Sequence, residues 1–274
     1  MRVVTFNLHA GVDGWGRPTR ALDHLASLGP DIAICPETWR GDDGTDFVAH
    51  LRETLGLEGA FAPLARAERV TTGHGPARWQ PLLAHVTGER GLYFREHREL
   101  TTRQRRHRHA RPDVETGEWG LGLFTSLPIH ALDVIPLGRL PREKVRRALI
   151  VAELSDQGQH FHVAAIHGAH LSHGSPVLYR RVARHLAAVS PTLPVVLGGD
   201  FNSWRPLLRL MLPGWTTLAR ARTWPAAHPH SQIDHLLGRG PWRAQHAGAS
   251  DGGSDHRALF VDLALDDVPV IALG

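Results

Sequence analysis

Short apolar runs recur along the 274-residue chain, and several of them end in glycine or in a polar residue. Runs of this length, bounded by turn residues, are typical of buried strands. In the clearest one, residues 194–197 are apolar and two glycines follow, so the chain can turn sharply where the strand ends. Comparable runs predict further strands over residues 2–8, 31–35, 120–124, 144–154, 161–166, 232–237 and 257–263.

Helical periodicity is confined to a few segments. Apolar residues at helical spacing predict helices over residues 22–28, about 46–55 and 175–191. Thr19 is the predicted N-cap of the first helix, Gly56 ends the second, and Pro176 lies in the first turn of the last. Because strands dominate and both ends of the chain contribute one, we predict a single mixed α/β domain over residues 1–274.

Composition agrees with a globular protein that buries a core, since 42% of the residues are hydrophobic and 21% are charged. The one cysteine, Cys35, excludes an internal disulfide and lies in an apolar run, which predicts a buried, inert thiol. No apolar run reaches the length of a membrane span, and the N-terminal run is interrupted too early for a signal peptide. We therefore expect a cytoplasmic protein without a membrane span; the sequence leaves the oligomeric state open.

Positive charge is concentrated between residues 100 and 115, which we predict to form a basic surface loop. Five arginines and two histidines stand between residues 102 and 112 without an acidic residue. A solvated loop is one interpretation. The other is a phosphate-contacting arm that binds substrate through Arg105, Arg106 and Arg108. The high arginine content of the whole chain also fits a compositional bias of the source genome, so both interpretations stay open.

Polar side chains with catalytic potential follow the predicted strands. Asp200 and Asn202 come directly after the run at 194–197, and residues two apart in an extended chain point to the same face. Taken alone, this pair fits a turn equally well, because Asp and Asn are common turn formers. A sheet gathers its strand ends, however, so we expect the pair to meet other polar residues that flank strands: Asn7, His9, Glu37, His167, His170, Asp234, Asp255 and His256.

The chemistry open to such a set is limited. The sequence has no Gly-x-Ser-x-Gly elbow and no phosphate-binding Gly-x-x-x-x-Gly-Lys-Ser/Thr loop, which disfavours acyl transfer and nucleotide-type phosphoryl transfer. Carboxylate and amide oxygens favour a hard cation such as Mg²⁺ or Mn²⁺. A zinc site built from histidines such as His167 and His170 is a weaker alternative. A hard cation, a carboxylate base and histidine donors together predict hydrolysis of a phosphate ester.

Seven short motifs resemble, in their order, those of the endonuclease/exonuclease/phosphatase superfamily, whose fold is DNase I-like. They span residues 5–256, and the pieces Gly-Asp-Phe-Asn at 199–202 and Ser-Asp-His at 254–256 are the most specific. The motifs are Thr5-Phe6-Asn7, Pro36-Glu37, the stretch 120–126 with Pro128-Ile129, Ile166-His167, Gly199-Asp200-Phe201-Asn202, Ile233-Asp234 and Ser254-Asp255-His256. The resemblance implies an α/β (α+β) fold, a four-layer αββα sandwich of two mixed β-sheets flanked by helices.

The resemblance also implies a Mg²⁺ or Mn²⁺ cofactor. Glu37 would hold the metal, with Asn7 and Asp255 nearby as ligands or as residues that support them. Pro36 departs from the family pattern, in which glutamine usually precedes the metal glutamate, and His9 stands where some nucleases carry an aspartate.

The catalytic roles implied by the resemblance fall on the other motifs. Asp200 would orient and deprotonate the attacking water, and Asn202 would hold the phosphate or the metal. His256, paired with Asp234, would contact a phosphate oxygen, and His167 would bind the phosphate or protonate the leaving group from the opposite side.

The histidine strand reads Ile-His-Gly-Ala-His, so His170 competes with His167 and is a candidate substrate-binding residue. The tyrosine with which abasic-site endonucleases contact phosphate is missing near residue 120, where Glu118 and Trp119 stand. We expect a phosphodiesterase or nuclease that hydrolyses a nucleic-acid P–O bond. The alternatives are a phosphatase or phosphodiesterase for an inositol phosphate, a phospholipid head group or another small ester, and, more remotely, a non-catalytic binding protein with this fold.

Overall fold

The computed structural model describes residues 1–13, 17–71, 79–81, 113–140, 142–143, 145–170 and 173–266. The three arginines of the predicted phosphate-contacting arm lie outside these residues. Of the predicted loop over residues 100–115, the last three residues are described, and they begin a strand.

Within the described ranges, thirteen strands form two sheets. In chain order they are β1 Arg2–Thr5, β2 Ile32–Gly41, β3 Glu58–Thr71, β4 Trp79–Pro81, β5 Asp113–Thr125, β6 Ile129–Arg139, β7 Arg146–Asp156, β8 Gln159–His167, β9 Val195–Asp200, β10 Thr216–Thr217, β11 Asp234–Arg239, β12 Trp242–Asp251 and β13 Arg257–Leu265. The first sheet has seven strands in the order β12-β13-β1-β2-β5-β3-β4, and the second has six in the order β10-β11-β9-β8-β7-β6.

Both sheets are mixed, and each contains one parallel pair. In the first sheet β1 runs parallel to β2, and in the second β8 runs parallel to β9. An antiparallel strand continues each pair, namely β13 beside β1 and β11 beside β9. The carboxyl ends of four parallel strands and the beginnings of two antiparallel strands can therefore carry side chains to the same end of the molecule.

The helices are α1 Ala21–Ser27, α2 Phe47–Leu55, α3 Ser175–Val189 and α4 Arg205–Met211. Helix α2 begins as the sequence predicts, because the side chain of Asp46 accepts hydrogen bonds from the backbone N–H groups of Val48 and Ala49. The prediction of Thr19 as the N-cap of α1 is wrong, since Arg20 occupies that position and makes no side-chain capping bond.

The core lies in two layers. Between the sheets, buried side chains of alternating strand positions meet, among them Ile34, Leu121, Ile150 and Phe161. On the outer face of the second sheet, Leu178, Tyr179, Val182 and Leu186 of α3 pack against side chains of β7, β8 and β9. Helix α2 packs against β2 and β3 of the first sheet, with α1 beside it. The predicted αββα sandwich of two mixed sheets is thus confirmed.

Several strands are longer than the apolar runs that predicted them, or were not predicted. Strand β6 lies at the edge of the second sheet with many exposed positions, so its sequence lacks a clear apolar alternation. Strand β12, Trp242–Asp251, and helix α4, Arg205–Met211, lie outside the segments for which the apolar pattern predicts an element.

Cys35 is fully buried in the core, as predicted for an inert thiol, and burial raises the pKa of its thiol above the ordinary value. Trp39 is also fully buried, which favours packing over substrate stacking for this side chain. None of the helices in the described residues is long and apolar enough to cross a membrane.

Candidate active site

The ends of both parallel strand pairs bring polar side chains together. Asn7 follows β1 and lies against Glu37 of β2, while His167 and Asp200 are the last residues of β8 and β9 and face each other in register. Asp234 begins β11 and is paired with Asp200 across the ladder. All five residues are buried. They lie at the end of the sandwich where the carboxyl ends of the parallel strands of both sheets meet.

Glu37 lies inside β2 and not at its exit, which corrects the sequence-based placement. The pairing of β2 with β5 shifts register between Pro36 and Thr38, and Glu37 has a left-handed backbone with φ of 57°. A bulge of this kind redirects a side chain out of the regular alternation. Its Oε1 accepts a hydrogen bond from Asn7 Nδ2 at 3.0 Å, whereas its buried Oε2 has no hydrogen-bond partner among the described residues.

Asp200 is held by donors on both carboxylate oxygens. Asn7 Nδ2 donates to Oδ2 at 3.1 Å, and the backbone N–H of Asn202 donates to Oδ1 at 2.7 Å. Burial raises the pKa of Asp200 to about 7, against the opposing effect of the nearby His256. The carboxyl group is therefore poised to gain or lose a proton near neutral pH.

His256 and Asp234 form a buried ion pair beside Asp200. The Nδ1 of His256 lies 2.8 Å from Asp234 Oδ2, and its Nε2 lies 3.8 Å from Asp200 Oδ2. Burial alone would lower the pKa of His256, but the carboxylates of Asp234, Asp255 and Asp200 raise it well above the ordinary value. These carboxylates favour the imidazolium form, in which Nδ1–H donates to Asp234 and Nε2–H faces Asp200.

His167 lies between the two sheets' carboxylates. Its Nε2 is 3.8 Å from Glu37 Oε1 and 3.7 Å from Asp200 Oδ2. The ring centroid lies 5.1 Å from that of Trp119, and burial together with Arg147 lowers the pKa of His167 well below its ordinary value. His167 therefore differs from His256, since its surroundings favour the neutral imidazole.

Asp255 lies beside His9 and is less buried than the other carboxylates. The Nδ1 of His9 is 3.8 Å from Asp255 Oδ1, and its backbone N–H donates to Asn7 Oδ1 at 3.0 Å. Burial lowers the pKa of His9, but Asp255 and Glu37 together raise it above the ordinary value. His9 thus links the predicted ligand Asp255 to Glu37 electrostatically.

The sequence-predicted residues divide into three groups. The structure brings together the following residues, by contacts or through His9: Asn7, Glu37, His167, Asp200, Asn202, Asp234, Asp255 and His256. His170 is exposed, and its ring lies 5.8 Å from that of His173, so of the two competing histidines it is His167 that joins the cluster. Arg105, Arg106 and Arg108 lie outside the described residues.

Sequence reasoning missed residues that support the cluster from behind. Ser254 Oγ donates to the backbone carbonyl of Asn7 at 2.7 Å, and Arg147 Nη1 donates to that of His167 at 3.3 Å. Arg147 is itself held by Glu143, with Nε–Oε2 at 2.7 Å and Nη2–Oε1 at 3.0 Å. The sequence pattern that could have pointed to Ser254 is its place before the Asp-His pair. The Glu143–Arg147 pair becomes recognisable only once the strands are placed.

The donor set suits a hard divalent cation. Ligand atoms of Glu37, His167 and Asp200 lie within 4.8 Å of one another, as do those of Asp200, Asp234 and His256. The unpartnered Oε2 of Glu37 is the structural sign of an incomplete site, because a buried carboxylate oxygen ordinarily has a donor or a cation. Glu37 therefore fits a metal-ligand role. Asn7, whose Nδ2 donates to Glu37 and Asp200 and whose Oδ1 accepts from the His9 N–H, fits the role of supporting that ligand.

The fold and the site define a DNase I-like α/β sandwich with a carboxylate–histidine centre. The model of the endonuclease/exonuclease/phosphatase family matches residues 4–256, and the chain belongs to this family. Members of the family are phosphoesterase hydrolases, and they generally use divalent metal ions. A search of curated proteins gave no significant match.

Solved structures share this fold at low sequence identity. The chain is similar to the endonuclease/exonuclease/phosphatase from Beutenbergia cavernae DSM 12333, with 20% identity, a TM-score of 0.63, and coverage of 98% of this chain and 72% of that one. It is similar to D. rerio TDP2 complexed with a single-strand DNA product, with 13% identity, a TM-score of 0.58, and coverage of 96% and 98%. The corresponding values for a mannosyl-6-phosphatase from Bacteroides thetaiotaomicron VPI-5482 are 13%, 0.60, and 97% and 100%.

Proposed function

We propose that this protein is a Mg²⁺- or Mn²⁺-dependent phosphodiesterase that hydrolyses nucleic-acid P–O bonds by water attack. The observation that carries the proposal is the position of Asp200, a buried carboxylate whose Oδ2 lies 3.7 Å from His167 Nε2 and 3.8 Å from His256 Nε2. A carboxylate base between two imidazoles suits hydrolysis of a phosphate ester. The base deprotonates the attacking water while the two imidazoles hold the phosphate.

Glu37 is the proposed metal ligand, with Asn7 and Asp255 as further candidates. A bound divalent cation supplies charge neutralisation at the phosphate oxygens. Glu37 contributes a carboxylate that Asn7 already orients through Nδ2 and Oε1, and whose other oxygen is free of hydrogen bonds in the described part of the chain. This arrangement leaves Oε2 available without disturbing the contact that fixes the side chain.

Asp200 is the proposed general base, and Asn202 is the proposed support for base and substrate. The hydrogen bond from the Asn202 N–H fixes Oδ1, so Oδ2 is the oxygen directed towards the two histidines. Water hydrogen-bonded to Oδ2 loses its proton to Asp200 as its oxygen bonds to phosphorus, while the P–O bond to the leaving group breaks and the leaving oxygen departs with the electron pair and takes up a proton. The side-chain amide of Asn202, whose Nδ2 lies 3.3 Å from both Asp200 Oδ2 and the Gly168 carbonyl, stands beside this water position.

His256 is the proposed electrostatic contact to the phosphate. Its Nδ1 is engaged by Asp234, so the ring orientation is fixed and Nε2–H is the donor that remains for a phosphate oxygen. A preoriented cationic donor stabilises the negative charge that grows on this oxygen in the transition state. His167, which faces the same space from β8, is proposed to donate a second hydrogen bond on the leaving-group side.

The nucleic-acid substrate is proposed from charge and not from a pocket. The arginines at 105, 106 and 108 form a run without acidic neighbours, as expected of a phosphate-contacting segment. The similarity to TDP2, a structure that contains a single-strand DNA product, favours the same substrate class. The similarity to a mannosyl-6-phosphatase favours the alternative, a small phosphate ester.

A substrate panel tests the proposal. Plasmid DNA, single-stranded DNA, RNA, a bis-aryl phosphate, inositol phosphates and sphingomyelin are each incubated with Mg²⁺, Mn²⁺ or EDTA. We expect metal-dependent cleavage of nucleic acid, and the variant Arg105→Ala/Arg106→Ala/Arg108→Ala should flatten the salt dependence of its binding. Turnover of a monoester alone would move the assignment to a phosphatase. If no substrate were turned over with any metal, the proposal that the protein is a metal-dependent phosphodiesterase would be refuted.

A further inference from the structure

The peptide segment that carries Asp200 and Asn202 has an unusual backbone. Asn202 is left-handed, with φ of 48°, although it is not a glycine. The adjoining strand end helps to hold it: the Gly168 N–H donates to the Asp200 carbonyl at 2.6 Å, and the Phe201 N–H donates to the Ile233 carbonyl at 2.9 Å. A residue in this conformation persists only where its surroundings determine it.

The carbonyl of Phe201, between the two site residues, points into the buried layer beneath the second sheet. The hydroxyl of Tyr179 donates a hydrogen bond to it from helix α3. Gly168 packs against the same carbonyl so closely that a Cβ built on it would lie 2.5 Å from the oxygen. The carbonyl is therefore contacted both by a hydroxyl donor and by backbone that carries no side chain.

Tyr179 is suited to act as a fixed donor. Its side chain is fully buried, and its ring lies 5.8 Å from that of Phe201, so packing as well as the hydrogen bond sets its position. Burial raises the pKa of the Tyr179 hydroxyl above its ordinary value, which keeps the proton on the oxygen at any pH at which the protein is assayed. A phenylalanine would supply the same packing but no donor for the carbonyl.

We propose that Tyr179 is a positioning residue for the reaction: by anchoring the Phe201 carbonyl to helix α3, it fixes the angle at which Asp200 and Asn202 enter the site. The inference rests on the proposed function, since the base and the phosphate-contacting amide are the groups being positioned. Tyr179 does not touch the reacting atoms. It acts through the backbone between two residues that do.

The test is the variant Tyr179→Phe, compared with Leu186→Val. Leu186 is buried on the same face of α3 but two turns further along, so its truncation costs stability without reaching the turn. A misplaced base lowers kcat, and we expect a loss of about tenfold to a hundredfold for Tyr179→Phe with KM and Mg²⁺ affinity unchanged. Leu186→Val should lower the melting temperature and leave kcat at the wild-type value.

Hydrogen exchange provides a readout that does not depend on activity. The Asn202 N–H, which donates to Asp200 Oδ1, should exchange faster in Tyr179→Phe than in the wild type, while Leu186→Val leaves it protected. Wild-type kcat together with wild-type exchange in Tyr179→Phe would overturn the proposal. If no substrate is turned over by the wild type, the proposed function fails, and exchange at Asn202 alone decides whether Tyr179 fixes the turn.

A second variant covers the case in which Tyr179→Phe does not fold. In Gly168→Ala the added Cβ would lie 2.5 Å from the same Phe201 carbonyl oxygen, which must shift to make room for it. We expect the same signature, lower kcat with unchanged KM and faster exchange at Asn202. Unchanged kcat and exchange in Gly168→Ala would show that the position of this carbonyl is immaterial to the reaction.

Discussion

The two sheets contribute unlike halves to the site. The carboxylates of the second-sheet half are compensated, in part by residues of the first sheet. Asp234 is paired at 2.8 Å with the ring of His256, which precedes β13, and Asp200 accepts hydrogen bonds from the Asn202 N–H and from Asn7 Nδ2. In the half from the first sheet, Glu37 has one oxygen held by Asn7 and one that is buried without a partner in the described structure. Asp234 Oδ1 is likewise buried without a hydrogen-bond partner in the described structure, so the two halves differ in charge and not in completeness. The second-sheet carboxylates face the His256 ring, whose pKa is raised, whereas Glu37 faces His167, whose surroundings favour the neutral imidazole.

The same contrast extends to the backbone. Both halves contain left-handed residues other than glycine: Glu37 in the β2 bulge and His9 and Ala10 after β1 in the first, and Asn202 in the turn after β9 in the second. The Asn202 turn is anchored by hydrogen bonds from β8 and α3, as the Tyr179 contact shows. A bulge that directs a carboxylate into a site without a donor is costly unless a ligand satisfies it. The first-sheet half is therefore the one that metal should stabilise.

The largest effect is expected from His256→Ala, which breaks the compensated half. Loss of the cationic donor should lower kcat by roughly 10²- to 10³-fold, the range found for a single donor to a developing oxyanion. Asp234 would also be left buried without its partner, so unfolding should become easier by about 3–5 kcal/mol. Steady-state kinetics and urea denaturation measure the two effects, and wild-type values of both would remove His256 from the account.

Glu37→Gln tests the first-sheet half, with Glu143→Gln as its matched control. Both glutamates are buried, at 8% and 6% exposure, but Glu143 is fully engaged by Arg147. Glu37→Gln should weaken Mg²⁺ binding by about a hundredfold. Loss of a residue that only hydrogen-bonds to a metal ligand already weakens metal binding by about 10- to 100-fold. Glu143→Gln should leave Mg²⁺ affinity intact and cost about 3–5 kcal/mol of stability, because it strands a buried guanidinium.

Calorimetric titration with Mg²⁺ measures the affinities of both variants. If Glu143→Gln weakened metal binding as strongly as Glu37→Gln, the effect would come from general loosening of the site. The contrast between the two halves would then lose its basis.

A smaller effect separates a structural histidine from those of the site. His235 is fully buried beside the second-sheet half, its Nε2 lies 2.9 Å from the Ser203 carbonyl, and burial lowers its pKa to about 4. Above pH 6.5 both folded and unfolded chains carry it neutral. Between pH 6.5 and 4 only the unfolded chain takes up the proton. The free energy of unfolding therefore falls as the pH is lowered, by up to about 1.4 kcal/mol per pH unit.

The slope should be smaller by this amount in His235→Gln when denaturation midpoints of the two proteins are compared across pH 4–7, because other buried histidines such as His167 contribute to both profiles. Parallel pH profiles for the variant and the wild type would show that His235 is not the group whose protonation the fold opposes.

The sequence is sufficient for the fold and for the core of the site where the apolar runs are buried. Asp200 and Asp234 could be placed because strands β9 and β11 are short, apolar and followed or preceded by polar residues. Glu37 was predicted as a site residue but misplaced, because a bulge inside a long strand has no signature in single-sequence periodicity. The partnership of His9 with Asp255 joins residues 246 positions apart, and only tertiary packing reveals it.

The Tyr179 contact is a second feature that the sequence pattern does not predict, although the pattern predicts the helix that carries it. The helix was predicted correctly from its apolar face, and Tyr179 belongs to that face as an ordinary core position. What periodicity does not encode is which backbone carbonyl a core hydroxyl will reach, since this depends on how the helix crosses the sheet. Substrate specificity is of the same kind, because no motif in the sequence names the phosphate ester that is cleaved.

The most direct test of the account is the turnover of Asp200→Asn on the best substrate of the panel, at saturating Mg²⁺. The substitution keeps the size of the side chain and removes its ability to accept a proton from water. We predict a loss of about a hundredfold or more in kcat, the scale of a general-base contribution, with a folded protein that still binds Mg²⁺. Turnover near the wild-type rate would contradict the account, because the base would then lie elsewhere in the chain.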